Sequence, residues 1–228
     1  MQYSVNLKEF GPNENDNLLA RDIYGKFKKY PGSNHIATEF ALSYLSALMR
    51  AIKPKTVLEI GAGIGTQTYL ILSHPHPPSL FVATESNQFC IDQLGRNIPQ
   101  DISRQFCLVS GDEDIPQSAL DSDNKGAGGS SPSFDMIVMD VDANEQLFKY
   151  LQPGCYIFVE GNRRQLRGRV HDYLEQRNLS LEFVNYNRGV RPFNISFKQT
   201  TIGIKRPKIH FKKIIKGCWI GQIHLRSA

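Results

Sequence analysis

Glu59-Ile60-Gly61-Ala62-Gly63-Ile64-Gly65 sets a carboxylate two residues before three glycines that alternate along the chain. Glycines in such a run let the backbone turn tightly and let a ligand lie close against it. An acid just before them suits a ligand bearing a cation better than one bearing a pyrophosphate. Position 66 is Thr, so the G-x-G-x-x-G spacing of a dinucleotide cradle is not met. Twenty residues after Gly65 stands Glu85, whose carboxylate can accept hydrogen bonds from both hydroxyls of a ribose. Gly111-Asp112 offers a third group, with Asp112 placed to accept from an adenine amino group; the same acids also make an ordinary solvated loop. Asp140 and Glu160 end two apolar runs, and a carboxylate in such a place is a candidate general base.

The elements that must position these groups alternate in type. Short β-branched or apolar runs at Thr56–Ile60, Leu80–Thr84, Gln105–Ser110, Phe134–Met139 and Cys155–Val159 read as buried strands. Between them lie helical stretches at Thr66–Ser73, Gln88–Asn97 and Ala143–Leu151, with another at Arg163–Arg177. A further helix runs from a cap at Ser33 or Asn34 to Ile52, where Pro54 stops it. Leu179–Tyr186 and Thr200–Lys205 read as a pair joined by a long Gly/Pro loop. Strand–helix alternation with apolar strands predicts a doubly wound, mainly parallel α/β sheet. In such a sheet ligands bind at the carboxyl ends of the strands, where Glu59, Glu85, Asp140 and Glu160 all fall. Residues 1–33 read as a loosely packed lead-in, 34–205 as the domain, and 206–228 as a basic extension packed on it.

With 228 residues, the chain suffices for one domain with a sizeable core. No run approaches the roughly 20 apolar residues of a membrane span, and Met1–Phe10 lacks a signal-peptide pattern, so a soluble, cytoplasmic protein is expected. Cys90, Cys107, Cys155 and Cys218 have neither metal-ligand nor redox-motif spacing. Charge is split: residues 1–162 carry 12 Lys and Arg against 19 Asp and Glu, whereas 163–228 carry 15 against 3. The basic third points to an anionic partner or to a solvated basic surface. Arg163 and Arg164, next to Glu160, would grip an anionic acceptor. His35 and His171 are alternative bases, each read in preference as a residue on a helix surface or at a helix start. Trp219 and the run Lys208–Lys216 read as a substrate-facing flap, a homodimer contact or a basic edge strand.

E-I-G-A-G-I-G, Glu85, Gly111-Asp112, F-D-M-I-V-M-D and L-Q-P-G-C-Y-I-F-V-E together resemble the class I methyltransferases that use S-adenosylmethionine, over about Ile36 to Lys205. The resemblance implies a seven-stranded sheet whose last strand is antiparallel. It implies that Glu59 lies near the methionine amino end of the cofactor, with Gly61, Ala62, Gly63 and Gly65 under it, and Glu85 on its ribose. The helix before T-V-L-E-I and the D-x-D at Asp140–Asp142 look most like small-molecule O-methyltransferases of the catechol and caffeoyl-coenzyme A type. Those hold a divalent metal on an Asp after strand four and an Asp-Asn pair after strand five. Asp140 matches the first; at the second stands Glu160-Gly161, with Asn162 one position late. The reading is therefore a metal-independent centre in which Asp140 and Glu160 orient ligands or take a proton. Asp140, Asp142, Glu160 and Asn162 remain the oxygen set that a Mg²⁺ would use. The expected reaction is methylation of an oxygen on a small molecule. RNA or DNA methylation is the alternative suggested by the basic third, although Asp140-Val141-Asp142-Ala143 is not the N/D-P-P-Y/F tetrapeptide of many base methyltransferases. A non-catalytic cofactor-binding subunit is the third reading.

Overall fold

Alternation within the strands decides the layers of the sheet. In β1 (Thr56–Ile60), Val57 joins one apolar cluster while Leu58 and Ile60 join another. In β2 (Leu80–Glu85), Phe81 and Ala83 face the first cluster and Val82 the second. Successive strand residues point to opposite faces, so strands apolar at every position must be covered on both. The computed structural model describes residues 5–7, 9–103, 106–111, 115–116, 133–140, 145–161, 163–187, 190–194 and 217–226.

Among these, β1 and β2 are joined by β3 (Cys107–Ser110), β4 (Met136–Met139), β5 (Tyr156–Glu160), β6 (Leu179–Asn187), β7 (Val190–Asn194) and β8 (Gly217–Leu225). They form one sheet in the order β3-β2-β1-β4-β5-β8-β6-β7. Strands β1 to β5 are parallel; β8 is antiparallel to both β5 and β6, and β7 is antiparallel to β6. The chain thus leaves β1 in one direction to β2 and β3, then returns to β4 on its other side. That reversal opens a crevice above the carboxyl ends of β1 and β4. One face is covered by α1 (Glu14–Phe27), α2 (Glu39–Ile52), α3 (Thr66–Ser73) and α4 (Gln88–Asn97), followed by the short α5 (Gln100–Ser103). The other is covered by a 3-10 segment, Glu145–Tyr150, and by α6 (Arg164–Gln176).

Several features differ from the sequence reading. The presumed loose lead-in contains α1, a helix whose Ala20, Ile23 and Phe27 are buried. Its start is an Asn-x-x-Asp capping box: Asn13 Oδ1 accepts from the Asp16 N–H and Asp16 Oδ2 from the Asn13 N–H, each at 2.9 Å. Asp16, 3% exposed, also accepts from Ser46 Oγ (2.8 Å) and from Arg50 Nε and Nη2 (3.1 and 2.9 Å). One carboxylate therefore caps α1 and ties it to α2.

The helix α2 starts at Glu39, not at Ser33, because Thr38 is its cap and accepts from the Ala41 N–H at 3.2 Å. Ser33–His35 makes a single 3-10 turn before the chain extends at Ile36. Residues 145–150 form a 3-10 segment where an α-helix was expected. The strand Leu179–Asn187 pairs with Val190–Asn194 and with Gly217–Leu225, not with Thr200–Lys205, which lies outside the described residues together with Lys208–Lys216. The sheet thus has eight strands among the described residues rather than seven, the additional one being β7 at the edge. Trp219 is 1% exposed in β8, an interior strand, and so is neither a flap nor an edge residue. No helix among the described residues is long and apolar enough to cross a membrane.

Candidate functional site

The glycine turn follows β1 and is held from the side by β2. The N–H groups of Gly61 and Ala62 both donate to the Thr84 carbonyl at 3.0 Å. Gly61, Gly63 and Gly65 all have positive φ, which is what an L side chain at those positions would resist. Gly65 is the cap of α3, and a Cβ there would sit 3.1 Å from Ile98 Cδ1 and 3.3 Å from Leu94 Cγ. Around Gly63 a Cβ would meet nothing within 4 Å. The turn is packed shut behind Gly65 and open in front of Gly63.

Glu85 ends β2 beside this turn and is 7% exposed. Its Oε2 accepts from the Gly63 N–H at 2.7 Å, and its Oε1 accepts from Ser86 and Asn87 N–H groups at 2.9 and 2.8 Å. The carboxylate thus braces the turn against the start of α4, and Oε2, which accepts one hydrogen bond against two at Oε1, keeps lone-pair capacity for one more donor.

Glu59 is 1% exposed, and Thr68 donates to its Oε2 at 2.7 Å. Burial, opposed by the Thr68 hydrogen bond and reinforced by the charge of Glu85, pushes its carboxyl up to about 7. A carboxylate in this state gains from a cation brought beside it.

A cavity of about 200 Å³ opens above β1 and β4. Its floor is Glu59, Ala62, Gly63, Thr66, Gln67 and Asp140; its roof is the 3-10 turn with Gly32, His35, Ile36 and Ala37; its side is the start of α4 with Asn87, Phe89 and Cys90. Gly61, Gly65 and Glu85 shape the turn without lining this space. Asp112 lies outside the described residues, as do Asp142 and Asn162.

Two residues absent from the sequence reading stand out. Gln67, 3% exposed, has neither its Oε1 nor its Nε2 hydrogen-bonded, and the Thr66 hydroxyl, 4% exposed, is likewise without a partner. Buried polar atoms are nearly always paired, so a group of three orphans lining one cavity marks a place where a polar ligand belongs. The signal in the sequence was Thr66-Gln67 opening, directly after the turn, a helix that continues into the apolar run Leu70–Leu72.

Asp140 and Glu160 end β4 and β5, adjacent parallel strands. Arg163 Nη2 lies 3.1 Å from Asp140 Oδ1 and donates to the Asp140 carbonyl as well. Glu160 Oε1 accepts from the Thr38 N–H at 3.4 Å, at the start of α2. Burial first, then the charge of Glu160, raises the Asp140 carboxyl well above the usual carboxylate range, against the pull of Arg163. Cys218, opposite Glu160 in β8, has its thiol pushed up by burial and by the same charge. Arg163 is therefore engaged by Asp140 rather than free to grip an anion; the Arg164 side chain lies outside the described residues. His35, the last residue of the 3-10 turn before α2, lines the cavity from the roof. His171 lies on α6, 3.6 Å from Asp172 and 3.9 Å from Glu175.

Neither a protein-family model nor a curated protein sequence matches the chain. Solved structures do match in fold. An O-methyltransferase from Bacillus cereus in complex with S-adenosylhomocysteine is 13% identical, with a TM-score of 0.52, over 94% of this chain and 92% of that one. A methyltransferase from Podospora anserina, also bound to S-adenosylhomocysteine, is 12% identical with a TM-score of 0.57, over 95% and 90%. A protein from Pyrococcus horikoshii described as an RNA methyltransferase is 11% identical with a TM-score of 0.55, over 92% and 98%. The chain has the Rossmann-like fold of the class I methyltransferases.

Proposed function

We propose that this chain is an S-adenosylmethionine-dependent methyltransferase acting on an oxygen of a small molecule. The observation that carries the reading is the cavity between the glycine turn and the 33–35 roof. There a buried acid poised near neutrality meets an unpartnered amide and an unpartnered hydroxyl. Those groups match an amino acid moiety: Glu59 faces its ammonium, while Gln67 Nε2 and the Thr66 hydroxyl can donate to its carboxylate. Gly63 leaves room for the ligand, and Glu85 Oε2 offers its remaining lone pair to a ribose hydroxyl. The cofactor-bound Bacillus cereus and Podospora anserina structures of this fold add support.

Bound there, S-adenosylmethionine would supply a methyl group already activated on a sulfonium. The protein's share is alignment, exclusion of water by the roof, and removal of the acceptor hydroxyl's proton. Asp140, which lines the cavity, is the proton acceptor. The acceptor approaches from the β4–β5 side, where residues of the basic region 163–228 begin, and those charges would draw an anionic acceptor.

Calorimetric titration of the purified chain with S-adenosylmethionine tests the reading, with micromolar-range binding expected. Absence of binding would sink it. Binding without transfer to any acceptor in a fractionated metabolite extract would favour a non-catalytic subunit. The Pyrococcus horikoshii structure favours RNA as a second acceptor class. The two differ in salt response, since binding through many phosphates weakens steeply and log-linearly with salt.

A further inference from the structure

We propose that Arg163 is the resident cation of the Asp140–Glu160 centre, standing in for the divalent ion that catechol-type O-methyltransferases hold there. The inference rests on the methyltransferase reading and adds to it a residue role and a metal preference.

Met139 and Val159 are register partners, so Asp140 and Glu160 are the next pair across adjacent strands. Neighbouring strands lie about 4.8 Å apart, which brings two carboxyl groups together above the crevice. Two such acids do not both stay ionised without a cation between or beside them. The sequence places one there. Arg163 is the residue before α6, with φ −88° and ψ 63° and no side-chain cap of its own. Its guanidinium is thereby released from the helix end and reaches back over the β4 terminus, to the carbonyl and the Oδ1 of the same Asp140.

A divalent ion fits poorly beside this arrangement. It would need Asp140 oxygen already facing a fixed positive charge, and Glu160 oxygen already accepting from Thr38. Arg163 is a positioning residue: it fixes Asp140 at the cavity floor, while Glu160 holds Thr38 and with it the roof segment 33–37.

Mn²⁺ provides a probe that needs no acceptor. Titrated into the full chain and followed by electron paramagnetic resonance, Mn²⁺ should remain free up to about 1 mM with the wild type. Arg163→Met should bring in one Mn²⁺ at least about tenfold more tightly, and Asp140→Asn on that background should abolish it. Arg163→Lys, which keeps a cation, should exclude Mn²⁺ as the wild type does. Micromolar Mn²⁺ binding by the wild type that is lost in Asp140→Asn would overturn the proposal. So would an Arg163→Met protein that binds S-adenosylmethionine normally yet gains no Mn²⁺. Should Arg163→Met fail to fold, the wild-type Mn²⁺ titration still decides. Failure of S-adenosylmethionine to bind the wild type is a separate result and refutes the function, not the Arg163 assignment.

Discussion

Cofactor affinity should fall steeply as pH is lowered from 7.5 to 5.5, because Glu59 must ionise to meet the ligand's ammonium. Burial without a cation raises this carboxyl to about 7. If only the ionised form binds, its population drops from about three-quarters at pH 7.5 to about 3% at pH 5.5, a weakening of roughly 25-fold. The ligand's amino group, with a pKa near 8, is almost fully protonated at the lower pH and offsets little of this. Below pH 7, binding must also expel about one proton per site. Calorimetry with S-adenosylmethionine in buffers of different ionisation enthalpy measures both quantities at once. Glu59→Gln should bind more weakly at pH 7.5 and lose the slope. The free protein carries the matching signature. Its folded state holds the Glu59 proton more tightly than the unfolded chain does, so this group's contribution to stability falls as pH rises from about 4.5 to 7. An affinity that stays within about threefold across the range, or a slope that survives in Glu59→Gln, would refute the argument.

Gln67→Leu should raise the thermal stability of the free protein by about 1–2 kcal/mol, since two buried polar atoms without partners disappear, while S-adenosylmethionine binding weakens. Asp16→Asn should cost about 2–3 kcal/mol in urea denaturation, discounted because Arg50 is part-exposed, by loosening both the α1 cap and the α1–α2 link. Trp219→Ala should cost about 3–5 kcal/mol by circular dichroism melts, as it empties a fully buried site in an interior strand.

The parts of the molecule legible in the sequence are those where the signal is local. β1, β2, β4 and β5 were found within a residue or two because each is a short apolar run ending at a turn or an acid. Glu59, Ala62, Gly63 and Asp140 were named from the same punctuation, and all four line the cavity. Helix α1 was missed because its capping box uses Asn and Asp, and because only a narrow stripe of it is apolar. Strand β8 was missed because its neighbours, not its own composition, make it interior. A lysine-rich run precedes it, and nothing local tells an edge from a centre. The same limit hid Gln67, Thr38 and the use of Arg163. A side chain's partner across 23 positions of sequence, as for Arg163 and Asp140, is decided by strand order.

That strand order also sets a timetable. Strand β8 lies between β5 and β6 although it follows both in the chain. At ribosomal speeds of about 5–20 residues per second, the interval between the emergence of β5 and of β8 is on the order of several seconds. Until then β5 is an open edge, with a row of unpaired backbone groups and the apolar residues of Tyr156–Val159 uncovered on that side. The nascent protein therefore passes through a stage in which its glycine turn and the parallel strands β1 to β5 can form while Glu160 still sits on a sticky border. A chaperone that guards that border, or a pause in translation between β5 and β8, would be expected to change yield more than any improvement to the cofactor half of the fold.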